Sequence, residues 1–151
     1  MQTPREIFSI GIDHNLCGPS FNAEYSINKD ICPEVCARAL QTEGVEEFFA
    51  LSTCNRVEFY AVGDPQKLLG ACLGAATLNG ARDPQKFLEK AQILKNEDAL
   101  VHLFETASGL NSQMIGETEI RGQIKKAYEA QKACCKAVLN RSLQKAIQCA
   151  K

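Results

Sequence analysis

A cysteine lies where two strand patterns meet. Residues 48–62 read FFALSTCNRVEFYAV, and the runs 45–53 and 56–63 are separated only by Cys54 and Asn55. That spacing predicts a tight β-hairpin. Two-residue hairpin loops usually require positive φ, which asparagine tolerates and cysteine disfavours. A thiol there is held off the pleated face and exposed at the tip. Arg56 places a cation beside it, which favours the thiolate, and strands on both sides fix its position. The pattern points to a nucleophile. The bland alternative is an incidental surface cysteine, or a core cysteine if the turn lies elsewhere.

A second stretch, GLNSQMIGETEIRGQ (109–123), gathers Asn111, Ser112, Gln113, Glu117, Glu119 and Gln123 between two helical patterns. Short polar groups beside glycine backbone suit a small, polar ligand. The competing reading is helix capping by Ser112, Glu117 and Thr118. His102 lies near the edge of an apolar stripe formed by Leu100, Leu103 and Phe104. A lone helical histidine is more often structural than catalytic. His14, in the loop after the first strand, has the same standing.

These residues must be carried by a chain of 151 residues, 45% hydrophobic and 23% charged. That is the size and balance of one soluble globular domain. No apolar run is long enough to cross a bilayer, and the first residues resemble neither a secretory signal nor a transit peptide. A cytoplasmic protein with no membrane association is the expectation. The eight cysteines include no C-x-x-C pair, and there are only two histidines. Neither a zinc site nor a secreted disulfide framework is expected, and most cysteines read as small core residues. Charge is uneven. From Arg121 to Lys151 there are eight Lys or Arg and one acid, Glu129, against a net −1 for the chain. That asymmetry suits either a polyanionic partner or a solvated lysine-rich helix.

Strands are expected over 7–13, 45–53, 56–63 and 91–96. Helices are expected over 31–41 (capped by Asp30), from 65 to about 78 (capped by Asp64), 83–91, from Asn96 through 108, 118–133, and from Val138 onward. Gly18-Pro19 and SINKD read as loop. The order predicts an α+β, ferredoxin-like βαββαβ fold: a four-stranded antiparallel sheet with helices on one face, followed by C-terminal helices. The last helix is still in pattern at Lys151, which suggests a longer protein. GACLGAATLNG has glycines at the wrong spacing for a phosphate loop, so no nucleotide fold is expected here.

STCNRVEFYAV together with HLFETASGLNSQMIGETEIRGQIKKAYEAQ closely resembles the glutamyl-tRNA reductase family. The resemblance runs from the first strand to the end of the chain. It implies a catalytic domain over 1–137 and, over 138–151, the start of a long spinal helix. The family's NADPH-binding and dimerisation domains are absent from this chain. It also implies that Cys54 attacks the ester of glutamyl-tRNA(Glu), giving a thioester that NADPH reduces to glutamate-1-semialdehyde. Thr53, Asn55 and Arg56 would orient the substrate, with Arg56 gripping the glutamate carboxylate. Ser112, Glu117, Thr118, Glu119 and Gln123 match the glutamate-recognition loop. His102 matches a histidine important for activity, with proton transfer to the leaving ribose oxygen as its expected role. The partners implied are the charged tRNA, a second subunit through the dimerisation domain, and an aminomutase that receives the aldehyde. No metal is implied.

The chain departs from the family at GIDHNLCGP, where lysine, threonine and alanine are lost and Cys17 is gained, and at Glu119, where many members have glutamine. Two other readings remain: a non-catalytic RNA-binding module using Phe59 and Tyr60, and a redox sensor pairing Cys54 with Cys17.

Overall fold

The long strands of this chain have apolar residues on both sides, and that decides the layering. In the computed structural model, which describes residues 5–111 and 119–150, strands β1 (Glu6–Asp13), β2 (Val45–Ser52), β3 (Arg56–Gly63) and β4 (Gln92–Lys95) form one sheet. Its order is β2-β3-β1-β4, with every neighbouring pair antiparallel. Phe8, Ile10, Ile12, Phe48, Ala50, Val57 and Phe59 point to one face. Helices α1 (Pro19–Tyr25), α2 (Cys32–Ala39), α3 (Pro65–Ala76) and α4 (Pro84–Lys90) cover it. Phe49, Leu51, Tyr60 and Val62 point to the other, under α5 (Asn96–Ala107), α6 (Glu119–Gln131) and α7 (Ala137–Cys149).

Helices therefore cover both faces, not one. The alternation in RVEFYAV looks half-exposed, yet every residue of β3 is buried. The polar members of its second face are paired with one another instead of with water. This also removes the RNA-binding alternative. Phe59 is 0% and Tyr60 3% exposed, so neither ring offers a stacking platform to a base.

Two local expectations change. A helix, α1, occupies part of the segment expected as loop. It has Pro19 in its first turn but no side-chain cap. Tertiary contacts hold it: Tyr25 stacks between Phe21 and Phe87, and its hydroxyl donates to the Asp83 carbonyl. Asp30 does not cap α2, whose N-cap position is Ile31. Asp64 does cap α3, accepting from the Gln66 N–H at 3.0 Å.

The edge strand β2 is pinned to the C-terminal helices by two buried side chains. The Gln131 amide pairs with both backbone groups of Ala50, accepting from its N–H and donating to its carbonyl, each at 2.8 Å. This acts as one rung of an absent neighbouring strand and blunts the edge. Glu47, 0% exposed, lies at the start of α7, which has no cap of its own. Its Oε1 accepts from the N–H groups of Lys136 and Leu139 at 2.7 and 2.8 Å, and Oε2 from Val138 at 3.3 Å. A carboxylate meets the exposed N–H groups and positive end of the helix dipole. Removing it strands buried donors, so Glu47→Ala is expected to lower unfolding free energy by about 2–4 kcal/mol. Glu46→Ala, at a half-exposed neighbour paired with Arg5, is expected to change it by less than about 0.5 kcal/mol. Urea denaturation of the two variants measures the contrast.

Candidate active site

The turn that carries Cys54 is built without positive φ. Neither Cys54 nor Asn55 adopts it, whereas Leu78, Asn79 and Asn96 do. Side chains replace the strained turn that the two-residue spacing suggests. The Thr53 hydroxyl oxygen accepts from the N–H groups of Asn55 and Arg56 at 3.1 and 3.2 Å, and the Thr53 N–H donates to the Arg56 carbonyl at 2.8 Å. From α1, the buried Asn22 amide donates to the carbonyls of Thr53 and Cys54 at 3.1 and 3.2 Å. The bend is thus held from both sides, and Cys54 is left exposed. Thr53 acts here first as a turn-builder.

Behind the hairpin lies a buried charged network on the second face of the sheet. Arg56 is 1% and Glu58 2% exposed. Arg56 Nη1 donates to Glu58 Oε2 at 3.1 Å and to Thr106 Oγ1 at 3.4 Å. Its Nη2 donates to the carbonyl and the side-chain oxygen of Asn111 at 3.1 and 3.0 Å. Glu58 also accepts from His102 Nε2 at 2.5 Å and from the Tyr60 hydroxyl at 3.2 Å. A carboxylate can only accept, so Nε2 carries the proton. The terminal N–H groups of Arg56 are all engaged, and a bidentate grip on a substrate carboxylate requires Asn111 to yield.

Gly11 makes this network possible. It pairs directly with Glu58 across the β1–β3 ladder. A Cβ at Gly11 would sit 2.6 Å from Glu58 Cγ and 2.7 Å from the Val57 carbonyl oxygen. Any side chain there would push Glu58 out of place.

A small cleft of about 50 Å³ opens at the hairpin tip, lined by Thr53, Cys54, Asn55, Arg56, Glu119, Ile120 and Gln123. Glu119 and Gln123 are one helical turn apart on α6, so both face the hairpin. The stretch 109–123 is therefore brought back to Cys54 at its helical end. Ser112, Glu117 and Thr118 lie outside the described residues. His102 does not line the cleft; it reaches the hairpin only through Glu58 and Arg56. Sequence reading passed over Asn22, Glu58 and Gly11. The one available signal was the pair of charges at alternate positions of β3, Arg56 and Glu58, on what proves to be a buried face. Among the described residues, no group of His, Cys, Asp or Glu is arranged to hold a metal ion, and no helix is long and apolar enough to cross a membrane.

Burial opposes charge on both Glu58 and His102, but their mutual hydrogen bond and charge outweigh it. The net effect lowers the Glu58 carboxyl below 4.5, with Arg56 contributing, and raises the His102 imidazolium above 6.5. The Glu58 contribution to stability is present above its unfolded value near 4.5 and is lost as pH falls through the lower folded value. The His102 contribution is complete below 6.5 and is lost as pH rises through the higher folded value. The network is thus strongest between 4.5 and 6.5. In Glu58→Gln burial and Arg56 lower the His102 midpoint against only the weaker pull of Asp13, and it is expected to fall below 6.5. An NMR titration of the imidazole measures it; an unchanged midpoint would break the assignment.

Residues 10–151 match the family model described as the N-terminal domain of glutamyl-tRNA(Glu) reductase. A glutamyl-tRNA reductase of Syntrophotalea carbinolica is 37% identical over 151 residues, covering 94% of this chain and 33% of the relative. One from Nitratidesulfovibrio vulgaris Hildenborough is 32% identical, covering 97% and 34%. Among solved structures, glutamyl-tRNA reductase from Methanopyrus kandleri superposes with a TM-score of 0.73 at 27% identity, over 95% of this chain and 33% of that one. The chain spans about a third of the length of the curated relatives it matches. On a family match of this extent, with Cys54 exposed on a fixed turn and Glu119 and Gln123 across the cleft from it, the chain belongs to the glutamyl-tRNA reductase family, in the region of its N-terminal domain.

Proposed function

We propose that this chain is the acyl-accepting, catalytic part of a glutamyl-tRNA reductase, the enzyme of the first committed step of five-carbon tetrapyrrole synthesis. One observation carries the reading: an exposed thiol on a turn fixed by Thr53 and Asn22, sharing a cleft with Glu119 and Gln123. An aminoacyl ester is an activated acyl group, and a thiolate is a good nucleophile for it. The Cys54 sulfur bonds to the glutamyl carbonyl carbon, the carbon–oxygen bond to the terminal ribose breaks, and that oxygen leaves as a hydroxyl after taking a proton. The product is a glutamyl thioester on Cys54.

Around that step the residues divide the work. Thr53 and Asn22 hold the thiol in place. Glu119 supplies a carboxylate to the substrate's α-ammonium group, and Gln123 hydrogen-bonds beside it. Asn55 and Arg56 wall the cleft, with Arg56 giving it positive character toward the glutamate side chain. Ser112, Glu117 and Thr118 are carried in this proposal by the family resemblance alone. His102 is better supported as a positioning residue than as a proton donor at the ester, because its Nε2 is committed to Glu58.

NADPH supplies the hydride that reduces the thioester to glutamate-1-semialdehyde in the whole enzyme. The residues of this chain do not fit that cofactor. The sheet is antiparallel throughout, and no glycine-rich strand–loop–helix turn occurs in the sequence. Reduction, dimerisation and delivery of the aldehyde to an aminomutase are thus assigned to the whole protein, in the cytoplasm. Within it, residues 1–137 are the catalytic domain and 138–151 the start of a spinal helix. The element order and strand order β2-β3-β1-β4 support a ferredoxin-like reading of the sheet.

Incubation with glutamyl-tRNA radiolabelled in the glutamate is expected to leave label on the chain that hydroxylamine removes. Some label returns slowly as free glutamate. Cys54→Ser is expected to abolish the labelling, and Glu119→Gln to weaken substrate binding about tenfold with the thiol still reactive. Equal labelling of Cys54→Ser and the unaltered chain would sink the covalent role.

A further inference from the structure

Three of the eight cysteines come together near Gln131, and none of them lines the hairpin cleft. Cys32 and Cys36 lie one turn apart on α2. Cys134 follows α6 in a short 3-10 turn, Lys132–Cys134. The chain passes round the edge of β2 at this point. Cys134 joins the core of the first face, and its neighbour Cys135 joins that of the second. Cys36 is 0% and Cys134 6% exposed. Their sulfurs are in hydrogen-bonding contact, and Cys36 Sγ also lies 2.9 Å from Gln131 Oε1.

A buried cysteine is ordinarily a small apolar residue, and that describes Cys32 and Cys135. Burial pushes the Cys32 thiol up to about 11, and burial with the Glu47 charge pushes Cys135 up to about 12. Neither offers a thiolate at neutral pH. Cys134 departs in the other direction. The hydrogen bond from Cys36 lowers it to about 7 against the cost of its own burial. The same bond, with burial, holds Cys36 protonated. The Cys36 hydrogen turns about the Cβ–Sγ bond, so it serves Gln131 or Cys134. One sulfur is thus made a nucleophile by a second that touches it, the arrangement of an attacking and a resolving thiol. Sequence spacing gives no hint of the pair, whose members are 98 residues apart. Cys17, the thiol that the sequence offered as a redox partner, donates instead to the Asp13 carbonyl at 3.5 Å.

We propose that Cys36 and Cys134 are a modification site: a dithiol that a hydroperoxide converts to a reversible disulfide, independently of Cys54. With hydrogen peroxide the Cys134 sulfur attacks one oxygen. An S–O bond forms, the O–O bond breaks, and the second oxygen leaves as water. Cys36 then attacks the sulfenic sulfur. The S–S bond forms, the S–O bond breaks, and that oxygen leaves as a second water with the Cys36 proton. The two thiols lose two electrons and the peroxide gains them. Cys134 reacts first because it alone of the pair reaches solvent, and a peroxide is little larger than water. A dithiol reductant reverses the bond. The disulfide ties α2 to the segment between α6 and α7. It takes the Cys36 proton from Gln131 but leaves the two bonds between Gln131 and Ala50 intact. The inference does not rest on the acyl-transfer reading.

The test uses the 151-residue chain with Cys17, Cys54 and Cys149 replaced by alanine, which leaves five thiols. Circular dichroism checks that it is folded. Hydrogen peroxide is added under native conditions, the thiols that remain are alkylated in denaturant, and the mass is read. Two of the five thiols are expected to escape alkylation, and dithiothreitol to restore both. A tryptic digest without reductant is expected to hold peptide 30–38 joined to peptide 133–136. Fragmentation is expected to place the bond between Cys36 and Cys134. The same digest of the unaltered chain reads that bond with no substitution. Oxidation is expected to raise the midpoint of thermal unfolding by about 5 °C or more, because the bond closes a long loop. Cys134→Ala is expected to lose both the bond and the rise, and Cys32→Ala to keep both. Five alkylated thiols in the folded, peroxide-treated chain would overturn the site. So would a bond placed at Cys32 or Cys135, or one that forms as fast in urea, where the two sulfurs are no longer held together.

Discussion

The Arg56–Glu58–His102 network is the interaction on which the arrangement depends. Two ionisable groups, Arg56 and Glu58, are buried between β3 and α5 with His102 half-buried beside them, where an unpaired charge is prohibitive. They are tolerated because each meets a partner: Glu58 is shared by Arg56 and His102, and the guanidinium is completed by Thr106 and Asn111. Losing one partner leaves a buried charge behind, which typically costs about 3–5 kcal/mol. The network therefore dictates how β3 meets α5. It also ties the base of the Cys54 hairpin to Asn111, the last described residue before α6.

The hairpin tip gains its rigidity from the opposite layer. Asn22, on the far helical face, holds the carbonyls of Thr53 and Cys54. The charged network anchors the next residue from the other side. A thiol at a turn would ordinarily be mobile and incidental. Here it projects from a bend whose flanks are bound to both helical layers, the condition for a nucleophile aimed at a fixed point. The same logic recurs at the edge of the sheet, where Glu47 and Gln131 fasten α6 and α7 to β2. Those contacts keep Glu119 and Gln123 across the cleft from Cys54.

Much of this was readable along the chain. The boundaries of β2 and β3, the cap at Asp64, and the exposed position of Cys54 follow from short-range patterns: alternation, capping residues and the two-residue gap. Helix α1 was not readable, because its stability comes from Tyr25 packing on Phe87, 62 residues away in sequence. Nor was the second helical layer. A strand with charges at alternate positions looks solvent-facing until a partner for each charge is known.

The sequence by itself determined the four strands, every helix but α1 in outline, the antiparallel order and the residue types on offer: one cysteine at a tip, one histidine in a helix, and a carboxylate and an amide one turn apart. These are local properties, set by dihedral preference and side-chain chemistry within a few residues. Only the tertiary structure decided which of them meet. Gly11 admits Glu58, Glu58 occupies His102, and His102 is thereby set behind the hairpin, not in the cleft. Pairing across a sheet and packing between layers join residues far apart in the chain. The free energy of a buried charge depends on those neighbours, not on the residue that carries it.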